Sequence, residues 1–281
     1  MPASKLVRRL VSSTFALAAL AGSLMAASPA AAGDTVNILV LKEQGVGSAA
    51  QAQGYVDRLI GQTAKVNGWA AASGKYVSNR AGAEVYMHES MPHYGILSLA
   101  AFLGLRARHG MEVIGKASVS VPTGEQYFLV SATQADAAGC KGKTLATNHG
   151  ADAKFVDNVV GAGAFKLADF TVVATTRPVQ TLKKVIAGEA ECALIDDAQL
   201  AELANVDGGS RVKSVWESKK LPPMVVVAFP SAPAAERKAF QASLGKVCAG
   251  EGAAVCGEAG LKALASASNA DYQAVIDAYG K

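Results

Sequence analysis

The chain has few aromatic residues. They make up 6% of its 281 residues, and two of them are tryptophans. Sugar-binding sites stack sugar rings on aromatic side chains, so this composition gives little support to such a site. Beyond residue 32 the chain also lacks any run of roughly 20 strongly apolar residues, the length that a membrane-spanning helix needs. The sequence therefore favours neither a sugar-stacking platform nor a membrane span in the body of the chain.

Catalytic and cofactor motifs are missing as well. The chain has no G-x-S-x-G motif, and His88 and His93 stand five residues apart with Pro92 between them, so they do not form an HExxH zinc motif. Residues 45–50 match G-x-G-x-x-A, but residues 65–77 hold no acid where a dinucleotide site requires one. We therefore expect a protein that is not an enzyme and that uses no cofactor or metal.

The N-terminus has the pattern of a secretory signal peptide over residues 1–32. A positive start, an apolar centre and small residues follow one another: Lys5, Arg8 and Arg9, then 10–24, then 30–32. A membrane anchor is the alternative, but the apolar centre is too short and too rich in alanine. Loss of this segment lowers the net charge from +4 to +1 because it removes three positive charges and no acid. The basic balance is therefore no argument for nucleic-acid binding.

The four cysteines, Cys140, Cys192, Cys248 and Cys256, all follow residue 32. An even number in an exported protein favours disulfides, and four cysteines allow three pairings. Cys248 and Cys256 are close in sequence, and Cys140 and Cys192 precede two strands that could be neighbours in a sheet. We therefore predict the disulfides Cys140–Cys192 and Cys248–Cys256. Metal binding is the alternative, which the absence of a CxxC pair disfavours.

Residues 143–230 alternate short apolar runs with segments of helical period. The predicted strands are 144–147, 170–174, 192–195 and 224–229, and the predicted helices are 152–160 and 179–187. This alternation indicates βαβ units in a parallel sheet, and such sheets bind ligands at the carboxyl ends of their strands.

The rest of the chain predicts a second set of elements. The strands are 36–41, 85–87, 111–114 and 126–130, and the helices are 50–66, 94–108, 235–249 and 270–279. Residues 69–83 stay hard to assign; a strand and a short helix would fit. The chain would leave its first half through 127–130 and return through 225–227. This predicts an α/β protein with two lobes, 33–131 plus 223–281 and an inserted 132–222, each a mainly parallel sheet flanked by helices and joined by a two-strand hinge.

Four polar loops, 43–48, 90–94, 147–151 and 175–178, each enter a predicted helix. The unpaired N–H groups and partial positive charge of a helix start suit a carboxylate, phosphate or sulfonate. These loops, the hinge tyrosine and the aspartate after strand 192–195 give the candidate ligand-binding residues. They are Gln44, Gly45, Ser90, His93, Tyr94, Tyr127, Thr147, Asn148, His149, Arg177 and Asp196.

Each candidate also has a simpler explanation. Thr147 and Asn148 suit the capping of a helix start as well as donation to a ligand. The guanidinium of Arg177 suits a two-pronged contact with an oxyanion, but a surface arginine that pairs with an acid fits equally. Asp196 could accept from a ligand amine or hydroxyl, or it could pair with Arg177. The sequence leaves these alternatives open.

Three segments of the second half resemble one known family. Residues 141–147 (KGKTLAT) look like the L-K-G-K-x-hydrophobic opening of the second lobe of type-II periplasmic substrate-binding proteins. Residues 188–196 (GEAECALID) resemble their G-E-A-D-A-A-V-D segment, and residues 218–222 (SKKLP) resemble the S-x-x-L-P before the return strand. Their order and spacing are similar to those of the phosphonate-binding (PhnD/SsuA/transferrin-like) branch. Residues 147–150 and 176–178 depart from that branch's pattern, so a phosphonate ligand does not follow.

The resemblance implies the two-lobed periplasmic-binding-protein type II fold and the function of an exported solute-binding protein. Such a protein lies in the periplasm, captures a small polar, anionic solute (phosphonate-, phosphate- or sulfonate-like) and delivers it to an ABC-transporter permease in the inner membrane. We expect a monomer without a cofactor or nucleic-acid partner. The alternatives are an enzyme or a sensory ligand-binding module on the same fold. Loss of uptake on deletion would indicate transport, and loss of signalling with intact uptake would indicate sensing.

Overall fold

The computed structural model describes residues 35–43, 49–122 and 124–281. Within these ranges the chain forms two β-sheets flanked by helices. The strands are β1 (Val36–Leu41), β2 (Ala72–Val77), β3 (Tyr94–Leu97), β4 (Glu112–Val119), β5 (Tyr127–Ser131), β6 (Thr144–Thr147), β7 (Thr171–Ala174), β8 (Cys192–Asp196), β9 (Lys213–Glu217), β10 (Met224–Ala228) and β11 (Leu261–Ser266). The α-helices are α1 (Ala49–Asn67), α2 (Arg80–Ser90), α3 (Leu99–His109), α4 (Ala137–Cys140), α5 (Pro178–Ile186), α6 (Asp197–Leu203), α7 (Ala234–Val247), α8 (Gly252–Glu258) and α9 (Asn269–Tyr279). A π-helix spans Phe155–Val160, and short 3-10 turns span Leu167–Asp169 and Gly209–Arg211.

Both sheets combine parallel and antiparallel strands. The first sheet has the order β11-β4-β10-β3-β1-β2, and β1 pairs in parallel with β2 and β3. The second has the order β7-β6-β8-β5-β9, and β6 pairs in parallel with β7 and β8. The other neighbours are antiparallel, so each sheet is mixed where mainly parallel sheets were expected. The predicted α/β class with two sheets is confirmed.

The strand β1 shows how an unbroken apolar run becomes a central strand. Leu39 and Leu41 belong to one hydrophobic cluster, and Ile38 and Val40 belong to another on the opposite face of the first sheet. Successive side chains of a strand point to opposite faces, so a run that is apolar throughout is buried on both sides. Each such side chain contributes about 1.5–3 kcal/mol on burial. This buried layer supports the loops that follow the carboxyl ends of the strands.

The chain passes between the sheets twice, once between β4 and β5 and once between β9 and β10. The N–H of Leu221 on the second crossing donates to the carbonyl of Glu125 on the first (2.7 Å), and the N–H of Ser218 donates to the carbonyl of Tyr127 at the start of β5 (2.8 Å). The predicted lobe limits place the strand 127–130 in the first lobe, whereas β5 pairs with β8 and β9 in the second sheet. The first crossing therefore precedes β5, and the lobe limits themselves stay a prediction.

Two predicted elements of the first sheet are wrong. The predicted helix 94–108 is a strand followed by a helix: Tyr94–Leu97 pairs in parallel with β1, and α3 begins at Leu99. The predicted strand 85–87 lies inside α2. Short apolar runs do not by themselves distinguish a strand from a helical segment, and of the run 85–87 only Met87 is buried in α2.

Both predicted disulfides, Cys140–Cys192 and Cys248–Cys256, are present. The first joins the end of α4 to the start of β8, and the second joins the end of α7 to α8. Among the described residues, no helix has both the length and the apolar character of a membrane span. The predicted signal peptide, residues 1–32, lies outside the described residues.

Candidate functional site

A cavity of about 320 Å³ lies between the two sheets. From the first sheet it is lined by residues that follow the strands β1, β2 and β3 in the chain, namely Glu43, Arg80 and Ser98. From the second sheet it is lined by Asn148, which follows β6, and by Asp196, which ends β8. Ligands of open α/β sheets bind at the carboxyl ends of the strands, and the cavity occupies that place in both sheets. The other lining residues in the described part of the chain are Ser78, Asn79, Leu99, Ala100, Gly124, Tyr127, His149, Ala151, Asp152 and Phe155.

Two helices of the first sheet begin at the cavity wall, α2 at Arg80 and α3 at Leu99. The first turn of a helix has N–H groups without an intrahelical acceptor and a partial positive charge. In α2 the side chain of Asn79 accepts one of these N–H groups, from Gly82 (2.8 Å). In α3 no side chain caps the start, and the Oγ of Ser98 is buried without a hydrogen-bond partner among the described residues. This side of the cavity is therefore rich in hydrogen-bond donors.

Arg80 is the only arginine or lysine among the described lining residues. Its Nε and Nη2 donate to the two carboxylate oxygens of Glu43 (2.9 and 3.1 Å), and its Nη1 donates to Oδ2 of Asp152 (2.7 Å). Burial alone would lower the pKa of Arg80, but the two carboxylates outweigh it and raise that pKa above its ordinary value. Arg80 is thus a positive charge held in a fixed position.

The second sheet contributes a network of polar side chains. Nε2 of His149 lies 3.1 Å from Oε1 of Gln199 and 3.7 Å from Oδ2 of Asp196. Oδ1 of Asn148 accepts from Oγ1 of Thr181 (3.0 Å) and from Nε2 of Gln199 (3.1 Å). Buried polar groups with several partners have little freedom to reorient, so these contacts fix the amide and the imidazole in the cavity wall.

Asp196 and Asp197 lie where β8 ends and α6 begins. Asp196 accepts the N–H of Gln199 (2.9 Å) as the cap of α6, and it still lines the cavity. Asp197 accepts the N–H of Gly124 (2.6 Å) on the first crossing segment. Burial raises the pKa of Asp197, against the opposing effect of the Gly124 hydrogen bond. The start of α6 is therefore tied to the crossing and presents a carboxylate to the cavity.

Tyr127 forms the floor between these groups. Its ring meets those of His149 and Phe155 edge-on, with centroids 5.1 and 5.6 Å away. Burial, together with the negative charges of Asp196 and Asp197, holds the pKa of Tyr127 well above its ordinary value. The phenol therefore stays protonated and can both donate and accept a hydrogen bond.

Carboxylates outnumber cations in the described lining. Glu43, Asp152 and Asp196 stand against Arg80, which pairs with the first two. Asp196 lies on the second sheet beside His149 and takes no part in that pairing. The cavity therefore offers donors at the starts of α2 and α3 and an acceptor at the end of β8.

The structure brings four of the predicted ligand-binding residues into the cavity wall: Tyr127, Asn148, His149 and Asp196. Thr147 lies beneath them, where its Oγ1 donates to the carbonyl of Leu194 (3.0 Å) and accepts the N–H of His149 (3.1 Å). Gln44 and Gly45 lie outside the described residues.

Ser90, His93 and Tyr94 are not among the residues that line the cavity. The carbonyl of Ser90 accepts Nδ2 of Asn37 (2.9 Å), and Nδ1 of His93 accepts the N–H of Asn37 (3.1 Å). Their predicted place at the cleft depends on a helix that starts at residue 94. In the structure they precede or begin β3, so they lie at the opposite end of that strand from the cavity.

Tyr94 has a structural environment of its own. Its hydroxyl donates to Oε1 of Glu236 (2.8 Å), and its ring stacks on Trp69 at 5.6 Å. Burial raises the pKa of Tyr94 far above its ordinary value, and the hydrogen bond to Glu236 adds to the shift. The side chain thus anchors α7 to the first sheet.

Arg177 is exposed at the start of α5 and does not line the cavity. It follows β7, which is the edge strand of the second sheet, while Asn148 and Asp196 follow or end the more central β6 and β8. The structure therefore does not bring Arg177 together with the other candidates.

Sequence reasoning missed Ser78–Arg80, Ser98 and Asp152. Glu43 fell inside a predicted cleft loop but was not chosen. Ser78 and Ser98 could have been found from their positions in the chain, because each directly follows the last residue of a strand, β2 or β3. That positional signal depends on knowing where β2 and β3 end. For residues 69–83 the sequence predicts a strand and a short helix without bounds, and the segment that contains β3 was predicted as a helix.

The described residues hold no group of three or more histidine, cysteine, aspartate or glutamate side chains arranged to bind a metal ion. The donor set of the cavity, with hydroxyls, amides, helix N–H groups and carboxylates, suits a small organic ion instead.

Comparison with known proteins gives one family and several structures of the same fold. The family model described as "ABC transporter, phosphonate, periplasmic substrate-binding protein" matches residues 100–272. A binding-protein component of an ABC phosphonate transporter from Pseudomonas aeruginosa has 13% identity, a TM-score of 0.63 and coverage of 86% of this chain and 84% of that one. No match was found among curated proteins.

Two further structures are similar. PhnD1 from Prochlorococcus marinus, in complex with methylphosphonate, has 8% identity, a TM-score of 0.63 and coverage of 86% and 96%. A Xanthomonas citri protein bound to ATP has 8% identity, a TM-score of 0.66 and coverage of 88% and 96%. At these identities the structures show the fold, and the family model, which spans more than half of the chain, shows the family. This chain belongs to the periplasmic substrate-binding proteins of phosphonate-type ABC transporters.

Proposed function

We propose that this protein is exported to the periplasm, captures a small polar solute with a phosphonate- or sulfonate-like anionic group between its two sheets, and delivers it to an ABC-transporter permease. The observation that carries the proposal is the cavity of about 320 Å³ whose lining comes from the strand ends of both sheets. A solute in such a place contacts both halves at once, so its binding favours the arrangement in which they are together.

The donor-rich side of the cavity suits the anionic group. The start of α3 offers N–H groups that no side chain caps, and the Oγ of Ser98 has no partner in the described part of the chain. Helix starts bind phosphate-like groups through such N–H donors and through the helix dipole. The guanidinium of Arg80 lies in the same wall, where Glu43 and Asp152 balance its charge, so the anionic group is held mainly by the helix N–H groups and Ser98.

The second sheet suits a different part of the solute. Asp196 presents a carboxylate, and His149 lies beside it. A carboxylate accepts hydrogen bonds and repels a second anion, so this end favours an amine or a hydroxyl on the solute. We therefore propose a solute that carries a hydrogen-bond donor as well as an anionic group.

Capture requires no chemical step, and members of this family bind solutes for transport. We infer that the protein is not an enzyme and acts as a monomer. Turnover of a bound solute would contradict the first inference, and a dimer mass by light scattering would contradict the second. A sensory role on the same fold is the other candidate, which deletion would reveal as lost signalling with intact uptake.

A thermal-shift panel tests the proposed function. We expect phosphonates or sulfonates, above all those with an amine or hydroxyl, to raise the melting temperature, and sugars to leave it unchanged. At a solute concentration of 100 times Kd the added stability is about 2.7 kcal/mol. Stabilisation by neutral sugars alone, or by no member of the panel, would contradict the proposal.

A further inference from the structure

One ion pair joins the two sheets across the cavity. Nη1 of Arg80, at the start of α2 in the first sheet, lies 2.7 Å from Oδ2 of Asp152, which follows β6 of the second sheet. Their side chains are 27% and 12% exposed, so the pair is largely shielded from water. Shielding strengthens an ion pair because solvent screens it less.

Groups on the side of the first sheet hold the guanidinium of Arg80 in position for this contact. Both oxygens of Glu43 accept from it, and the carbonyl of Ala100 accepts from Nη2 (2.9 Å). Gly104 on α3 leaves the space that the guanidinium occupies, since a Cβ there would overlap Nη1 and would lie 2.9 Å from Cζ. A two-pronged contact to one carboxylate leaves the remaining donors aimed in a fixed direction.

The carboxylate of Asp152 accepts a second hydrogen bond from the side of the first sheet. The hydroxyl of Tyr279, at the end of α9, lies 3.2 Å from both carboxylate oxygens. Nζ of Lys154 lies 5.9 Å from the centre of the Tyr279 ring. Within its own half, Oδ1 of Asp152 accepts the N–H of Phe155 (3.0 Å). The carboxylate of Asp152, on the side of the second sheet, is thus held by two separate elements on the side of the first sheet, α2 and α9.

We propose that Arg80, Asp152 and Tyr279 are positioning residues that hold the two cavity walls together independently of the solute. The pair lines the cavity without filling it, so a solute can enter contact with both walls while the pair is intact. A protein whose binding-competent arrangement is more populated binds with a lower apparent Kd, because less free energy is spent on closure. These residues then set how firmly any solute is held, whatever its chemistry.

The substitution Gly104→Ala tests this with little disturbance of the fold. The new methyl group meets the flexible end of Arg80, which has to move away from Asp152. Gly245→Ala on α7 is the matched control, because a Cβ there meets nothing within 4 Å. Both changes replace a helical glycine by alanine and raise helix propensity equally.

The measurement is the radius of gyration by small-angle X-ray scattering on protein dialysed without solute. We expect Gly104→Ala to shift to a larger radius, and Gly245→Ala to match the wild type. Asp152→Asn is a second variant; it keeps the Oδ1 acceptor for Phe155 and loses the charge, and we expect the same shift. Equal radii for all four proteins would overturn the proposal. Because no solute is added, this result is independent of the proposed ligand.

Discussion

Asp196 combines two roles that can be separated by one substitution. Its carboxylate caps α6 through the N–H of Gln199, and it also faces the cavity beside His149. Asparagine caps a helix about as well as aspartate does. Asp196→Asn therefore keeps the cap and removes the charge.

We expect Asp196→Asn to leave the melting temperature nearly unchanged and to weaken binding of a solute that donates an amine or hydroxyl to this carboxylate. Hydrogen bonds to charged groups contribute about 1.5–3 kcal/mol. Isothermal titration calorimetry and thermal unfolding give the two quantities. Asp136→Asn is the control, since Asp136 caps α4 through the N–H of Gly139 and does not line the cavity. Unchanged affinity in Asp196→Asn would remove this carboxylate from the site.

At the scale of residues, the sequence predicted the second-sheet wall and missed much of the first. Asn148, His149 and Asp196 were found because each follows or ends a strand whose apolar run was assigned correctly. Arg80 and Asp152 were missed because their role depends on each other across the cavity, and no local pattern records such a contact.

Among the elements, β3 and α3 show where periodicity stops being informative. Tyr94–Leu97 is buried throughout, and the helix after Ser98 has five buried residues on its apolar side. A buried strand followed at once by a buried helix gives one long apolar stretch, and Ser98 alone marks the boundary. In the second half the strands are separated by polar loops, and there the predicted strands at 144–147 and 192–195 were confirmed.

The two disulfides also belong to this scale, and they close chain segments of very different length. Their sequence separations are 52 for Cys140–Cys192 and 8 for Cys248–Cys256. On the loop-closure model the longer one contributes about 4 kcal/mol and the shorter about 2.5 kcal/mol, because a longer loop loses more entropy in the unfolded chain.

We therefore expect replacement of both cysteines of the longer disulfide by alanine to lower the free energy of unfolding more than the same change in the shorter one. Urea unfolding of the two double variants against the wild type measures the difference. A larger loss from the Cys248–Cys256 pair would contradict loop closure as the main source of their stability.

At the scale of the whole molecule, the described residues connect the sheets around the cavity through two chain crossings, the ion pair between Arg80 and Asp152 and the hydrogen bond from Tyr279 to Asp152. The two crossings are hydrogen-bonded to each other through Leu221 and Glu125, while the pair between Arg80 and Asp152 bridges the cavity itself. One hydrophobic cluster contains residues of both sheets, such as Leu39 of β1 and Leu145 of β6, so a rotation of one sheet against the other about the crossings has to repack that cluster. The architecture was predictable because three motifs resembled one family. The ion pair between Arg80 and Asp152 was not predictable from those motifs.

A crystal structure grown with the solute that the panel selects tests the central claim most directly. We predict density for that solute in the cavity, with its anionic group at Ser98 and the start of α3 and its donor group near Asp196. Density for the solute on an outer face, or in the cavity without contact to both sheets, would contradict the account.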